Sequence, residues 1–274
     1  MTRRGDSAAP YPGSTMADLH WKTAITKVEP NRISLRGYAM DQLMGRITFA
    51  QGFYLALKGE LPDERTGRMI DAILVSSIDH GATPPSALTA RMVTATGAPL
   101  SSAIAAGVLA ISRLHGGAIE EGMIQMREVA RRADADGSTE EAAAARFVME
   151  AKEQGRRLSG FGHRIHTDDP RTKKLLELAG ELELAGRHVR IARHLEDKLA
   201  ASSGRKLPLN VDGAIAAVLC DMGFDPAVGN AFFILSRVAG MVAHIQEERT
   251  RERPMRRIHP SDHEYDGPPD RDVG

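Results

Sequence analysis

The chain has 274 residues, and its 36 basic side chains are matched by 36 acidic ones, leaving no formal net charge at neutral pH. That balance excludes a basic nucleic-acid surface as its main business, and a single cysteine, Cys220, rules out an intrachain disulfide or a cysteine-built zinc site. No apolar run reads as a membrane span and the opening residues lack a signal-peptide core, so a cytoplasmic protein that does not engage a membrane is expected.

Residues 1–17 are polar and rich in Pro and Gly, and read as a disordered arm. Trp21–Thr26 and Asn31–Gly37 alternate in character, which predicts two short strands in a small ribbon. From Asp41 the spacing turns helical: Met44, Ile47, Ala50, Phe53, Tyr54 and Leu57 share a face until Gly59 stops the helix and Pro62 opens the next. Helices are then predicted over Pro62–Ser77 (stripe Met69, Ile70, Ile73, Leu74), Pro85–Thr96, Leu100–Leu114 and Gly117–Arg132. Asp134 to Gly137 reads as a turn. Further helices follow over Thr139–Gly155, Arg171–Leu182, Val189–Ala201, Asp212–Met222 and Pro226–Glu247, and the charged, Pro-rich stretch from Glu252 onward is expected to wrap over the surface. Aromatics are only 4 % of residues. A core of helices approaching closely over small side chains suits that composition better than a β-sandwich does, so the fold class is mainly α.

Four segments carry chemistry: Asp79-His80-Gly81, Leu114-His115-Gly116-Gly117, Gly160-Phe161-Gly162-His163-Arg164 with Asp169-Pro170-Arg171, and Pro208-Leu209-Asn210-Val211-Asp212-Gly213. Each falls at a predicted helix end, where unpaired backbone groups face a ligand and glycine lets the backbone come close. Taken singly, each has a plainer explanation. A lone histidine is more often structural, and His20, His166, His188, His244, His259 and His263 stay in that class. Asp212 alone is as well explained as a helix N-cap. Arg171, Arg237 and Arg253 taken alone read as solvated or capping residues. The ordered combination points instead to a site that makes or breaks a carbon–carbon bond beside a thioester.

Together the segments resemble the citrate synthase superfamily from about residue 19 to Pro268. Leu57-Lys58-Gly59-Glu60-Leu61-Pro62 is similar to that family's GELP turn, Asp79-His80 with Thr89-Ala90-Arg91 to its substrate-binding histidine segment, and Leu114 to Ala118 to its first catalytic histidine segment. Gly160 to Arg171 resembles the second, and Asn210-Val211-Asp212 the catalytic aspartate segment. Ser236-Arg237, Arg253-Pro254 and Tyr265-Asp266-Gly267-Pro268 resemble its late arginine segments. The resemblance implies two helical domains around a cleft, a large one of residues 18–116 plus 222–274 and a small one of 117–221, hinged near Gly116 and Met222, in a homodimer. It implies catalytic roles for Asp212 (base), His115 (donor to the thioester oxygen) and His163 (proton transfer at the carbinol or keto oxygen). Carboxylates would be held by His80, Arg171, Arg237 and Arg253, the last donated by the partner subunit. Coenzyme A enters as an acyl thioester and no metal is implied.

Three departures tilt the resemblance toward cleavage. The chain is short for the superfamily. Gly81 follows His80 where typical synthases carry glutamate, as in stand-alone citryl-CoA lyases and the citrate-cleaving module of ATP-citrate lyase. The loop after His163 is one residue shorter and has Thr167 where a basic residue contacts coenzyme A phosphates; Arg164 and Lys206 are the substitutes. The expectation is therefore a citryl-CoA lyase, with citrate or methylcitrate synthase as the alternative and a catalytically silent paralogue serving as a partner subunit as a third reading. The chain carries no Gly-x-x-x-x-Gly-Lys-[Ser/Thr] loop, so ATP-driven activation of citrate would fall to a separate citryl-CoA synthetase partner.

Overall fold

The computed structural model describes residues 22–162, 168–204, 206–257 and 259–274. The expected N-terminal arm, His163, Arg164, His166 and Thr167 lie outside the described residues. Two compact units divide between Leu61 and Pro62.

In the first unit, β1 (Thr26–Glu29), β2 (Arg32–Leu35) and β3 (Tyr38–Ala39) form an antiparallel meander in the order β1-β2-β3. The first strand was expected over Trp21–Thr26, but it begins at Thr26. The tight turn at Pro30-Asn31, with Asn31 at φ 60, pairs Glu29 with Arg32 and so sets the register back toward Thr26–Leu35. The single helix expected from Asp41 is two: α1 (Met40–Leu43) and α2 (Phe49–Lys58). Between them, Gly45 adopts φ +77, and Thr48 and Gln51 close a capping box that starts α2 afresh. Gly59 ends α2 in the left-handed conformation, as its position predicts. Arg36 donates from Nε and Nη2 to the Ala56 carbonyl at 3.0 and 2.7 Å, tying the ribbon to α2.

The second unit contains α3 (Glu64–Ser76), α4 (Pro85–Ala95), α5 (Leu100–Leu109), α6 (Ala118–Asp136), α7 (Glu140–Glu153), α8 (Pro170–Glu181), α9 (Arg187–Ser203), α10 (Val211–Asp221) and α11 (Gly229–Arg251). On α3 the stripe Met69, Ile70 and Ile73 is fully buried, worth roughly 1.5–3 kcal/mol per side chain before entropy is counted. Three helix ends differ from expectation by four residues or more, one of them that of α11, which runs to Arg251 and not to Glu247. α5 stops at Leu109, because Ser112 and His115 exchange backbone hydrogen bonds of 2.8 Å each way and fold residues 112–115 into a turn. α6 runs through Asp134 to Asp136, and the turn is Gly137 alone, a left-handed C-cap.

α10 packs against α6, α8 and α9, and α11 against α3, α4 and α5. From Gly213 to Cys220 every residue of α10 is buried, the pattern of a helix enclosed on all sides. α11 with the preceding turn (Pro226–Arg251) is long and apolar enough to cross a membrane, which corrects the sequence-based expectation that no such run exists. In the fold, Phe232, Phe233, Arg237, His244 and Glu248 of this helix are buried, and a central core helix has the same composition. Close approaches are made at glycine. A Cβ on Gly240 of α11 would run into the Ile78 carbonyl at the end of α3, and one on Gly213 would run into the Gly160 carbonyl.

Candidate active site

Arg237 is the centre of the site. It is 3 % exposed, donates from Nε to the Ser77 carbonyl at 3.1 Å, and lays its guanidinium over the Phe233 ring, 4.5 Å from the centroid. The i, i+4 spacing on α11 makes that pairing local. The Ser77 carbonyl is free to accept because α3 has ended and left its last carbonyls without helical partners. Burial lowers the affinity of Arg237 for its proton; Asp79 and Asp212 counter this, and Arg171 adds to it. Those causes also map the neighbourhood: Asp79, Asp212 and Arg171 all lie within electrostatic reach of one guanidinium.

His115 packs edge-on to the same Phe233 ring, with centroids 5.7 Å apart. Gly116, at φ +79, brings its backbone against that ring, where a Cβ would sit 2.6 Å from the aromatic carbons. The imidazole Nε2 accepts from the Ser86 backbone N–H at 3.3 Å and lies 2.9 Å from the Ser86 hydroxyl. Ser86 follows Pro85 in the first turn of α4, so its N–H is one of the donors a helix start leaves unpaired. An amide can only donate, so Nε2 carries no proton and Nδ1 does. Burial, then the charge of Arg237, lowers the His115 pKa. The ring is thus kept neutral with an N–H on Nδ1, a group able to donate to an oxygen that gains negative charge.

Asp212 occupies the second position of α10. The plainer explanation of this residue is overturned: the N-cap is Asn210, whose side chain accepts from Gly213 N at 3.1 Å. Asp212 is therefore not occupied in capping. Burial pushes its carboxyl up, Arg171 and Arg237 pull it down less strongly, and Asp169 adds a further push. Arg171 is held by Asp169 through two parallel bonds, Nε to Oδ1 at 3.0 Å and Nη2 to Oδ2 at 2.8 Å, and its Nη1 reaches the Ser76 carbonyl at 3.4 Å. The same carboxylate caps α8 through the Arg171 N–H. Asp169 orients Arg171, and no signal beyond the DPR spacing singled it out.

The strand-like pair Phe161–Leu209 joins the segment leading to residue 163 to the one leading to Asp212. Gly162 N donates to the Pro208 carbonyl (2.7 Å), Asn210 N to the Gly160 carbonyl (3.0 Å) and Asn210 Nδ2 to the Gly162 carbonyl (2.9 Å). The last described residue before His163 is therefore pinned to the N-terminus of Asp212's own helix.

His80 is exposed beside Asp79 in a loop past α3. Partial burial works to raise the Asp79 carboxyl, but donation from the Gly81 N–H and from His244 outweighs it and holds the group below the ordinary range. Arg253 is exposed beyond α11, and among the described residues no hydrogen bond or ion pair joins it to this centre. Lys206 is exposed one residue before Leu207. Leu207, Gly162 and Phe161 line a cavity of about 510 Å³ whose cations among the described residues are Lys152, Arg156 and Arg157. The Arg156-Arg157 pair, three residues before Gly160, drew no reading from the sequence.

Residues 62–260 match the family model "Citrate synthase, C-terminal domain". Among solved structures, the chain is 44 % identical to citryl-CoA lyase from Hydrogenobacter thermophilus, with a TM-score of 0.84 over 93 % of this chain and 97 % of that one. ATP citrate lyase from Methanothrix soehngenii, solved with citrate and coenzyme A, shares the fold with a TM-score of 0.75 at 23 % identity, over 98 % of this chain and 47 % of that one. Citrate synthase 2 from Bacillus subtilis is 31 % identical over 210 residues, 76 % of this chain and 54 % of the relative. The chain spans about half the length of the curated relatives it matches.

Proposed function

Since the chain belongs to the citrate synthase family, we propose that it is a citryl-CoA lyase, cleaving citryl-CoA to acetyl-CoA and oxaloacetate. The observation that carries cleavage over synthesis is the likeness to a citryl-CoA lyase through nearly the whole of both chains. In this reading His163 takes the proton of the carbinol hydroxyl, and the bond from the carbinol carbon to the thioester CH2 breaks. Its electron pair moves onto the thioester oxygen, where the Nδ1–H of neutral His115 donates to the enolate. The carboxyl of Asp212 then protonates the enolate carbon. One proton has moved from oxygen to carbon by way of two residues. A carboxyl whose pKa is pushed up by burial supports the acid role, since the group must start protonated.

His80, Arg171 and Arg237 hold carboxylates of the substrate, the arginines by their planar forks. Arg253 is donated across a homodimer; its exposure supports this, as do the uncovered apolar side chains Leu88 and Met92 on α4 and Leu100 and Leu109 on α5, which a second copy would bury. Arg164, Lys206 and the cations Lys152, Arg156 and Arg157 serve the coenzyme A phosphates. Residues 18–116 plus 222–274 act as a large domain and 117–221 as a small one, closing about hinges near Gly116 and Met222. The protein works in the cytoplasm on citryl-CoA made by a separate synthetase. The relationship to a curated citrate synthase supports the second reading, condensation of an acyl-CoA with oxaloacetate.

Purified citryl-CoA decides among these. Acetyl-CoA plus oxaloacetate is the expected product pair; free citrate plus coenzyme A would mark a synthase, and no turnover a silent paralogue. Arg253→Ala is expected to weaken oxaloacetate binding by roughly thirtyfold or more, the cost of losing one buried charged partner. Unchanged affinity by calorimetry removes Arg253 from the site.

A further inference from the structure

A second cluster of charge lies behind the site and outside the mechanism. Glu248 of α11 is 2 % exposed, and its carboxylate joins two arginines. Arg256 pairs with it through Nε at 2.7 Å and Nη2 at 2.8 Å, and Arg91 of α4 through Nε at 2.8 Å. Arg91 in turn places Nη1 3.3 Å from His244 Nδ1 and 3.3 Å from Glu247. A guanidinium has no acceptor, so His244 Nδ1 accepts there and the proton sits on Nε2. That Nε2 donates to Asp79 Oδ1 at 2.8 Å, while Asp79 Oδ2 takes the Gly81 N–H at 2.9 Å. One unbroken chain of polar contacts therefore runs from the loop that carries His80 to the turn that carries Arg253. That turn is clamped again where Met255 N donates to the Ala95 carbonyl at 2.6 Å.

Nothing in the local sequence requires a buried carboxylate at 248 or an imidazole at 244. A carboxylate taken out of water is costly unless paired, and here it meets two guanidinium groups, one of them bidentate. The two ends of the chain are loops, whose positions the helices alone leave loose. We infer that Glu248 and His244 are positioning residues that hold His80 and Arg253 in one register for the carboxylates of the organic acid, an inference that rests on the lyase reading. Neither touches substrate. Their effect belongs to binding of the acid portion, because His115 is held by Ser86 and Asp212 is carried on α10, which Asn210 caps.

The test uses Glu248→Gln, which keeps the shape and removes the charge, and the pair His244→Gln and His244→Ala. The glutamine retains an N–H donor of similar reach toward Asp79; the alanine does not. With the full chain and citryl-CoA, Glu248→Gln and His244→Ala are expected to raise KM about tenfold or more while kcat stays within about threefold, and His244→Gln is expected to recover most of the loss. Amide exchange of residues 79–82 and 253–256 is read on the same proteins, independently of activity. Faster exchange in both segments in Glu248→Gln supports the inference. An active wild type whose variants keep its KM overturns the inference and leaves the lyase reading standing; so does an equal fall in kcat and kcat/KM, or exchange unchanged in both segments. A wild type that neither binds oxaloacetate nor turns over citryl-CoA overturns the lyase reading, and the inference with it.

Discussion

Asp212→Asn is expected to lower cleavage of citryl-CoA by about a thousandfold, the order of a lost acid–base group, while the melting midpoint at neutral pH stays the same or rises. The two effects have one cause. Burial raises the carboxyl's pKa against the pull of Arg171 and Arg237. A raised folded pKa means that the native state binds the proton more tightly than the unfolded chain does. Stability from this group is therefore full below the unfolded pKa and declines as pH rises toward the folded one. Above both, the native state carries the cost of an ionised carboxylate in a poorly solvated place. Asparagine removes that burden together with the chemistry, the pattern of a site that trades stability for activity. Melting both proteins at pH 4 and pH 8 checks it: the variant's advantage should shrink toward acid. In wild type, cleavage should fall as pH rises through the Asp212 titration, because the proposed mechanism uses Asp212 as the acid, and exchange of acetyl-CoA α-protons should rise. A variant that cleaves and exchanges at the wild-type rate removes Asp212 from its role.

Gly213→Ala is expected to destabilise by about 1–3 kcal/mol, the range for forcing a carbon into a packed interior, and to impair cleavage more than folding. The new Cβ would meet Leu209 Cδ1 at 2.6 Å and the Gly160 carbonyl carbon at 3.0 Å. Gly160 has no room to retreat: its φ is +89, its carbonyl accepts from Asn210 N, and its own Cα region faces Gly213. The strain must move either α10, with Asp212, or the loop that leads to residue 163. Gly180→Ala is the control. It sits in α8 with nothing within 4 Å of the added carbon, so stability should hold or rise by up to about 1 kcal/mol. Urea melts and initial rates on both variants decide the matter; equal behaviour of the two would remove the close approach of Gly160 and Gly213 as a constraint on the site.

Much of the molecule was legible locally. Gly59 ending α2, the buried stripe on α3, Pro85 opening α4 and the helix beginning near Asp212 all follow from periodicity and caps, which act over a few residues. The same local rules failed where distant groups intervene. α5 ends early because His115 pairs back to Ser112, and α6 outruns an apparent turn because its packing carries it to Gly137. Of the site, residue types and order were readable, but their states were not. Asp212 looked like a cap until Asn210 took that task, and His115 had no tautomer until Ser86, 29 residues earlier, met its Nε2. Asp169 showed only as part of the DPR spacing, and nothing local marked Phe233 as the ring that Arg237 and His115 share.

The amino-acid order by itself determined which helices form and which side chains are available for chemistry, because propensity, capping and apolar spacing are local properties. The tertiary structure decided protonation, orientation and partnership. Those depend on burial and on charges far apart in the chain, and they exist only once α3, α4, α10 and α11 have brought Arg237, His115 and Asp212 into one neighbourhood.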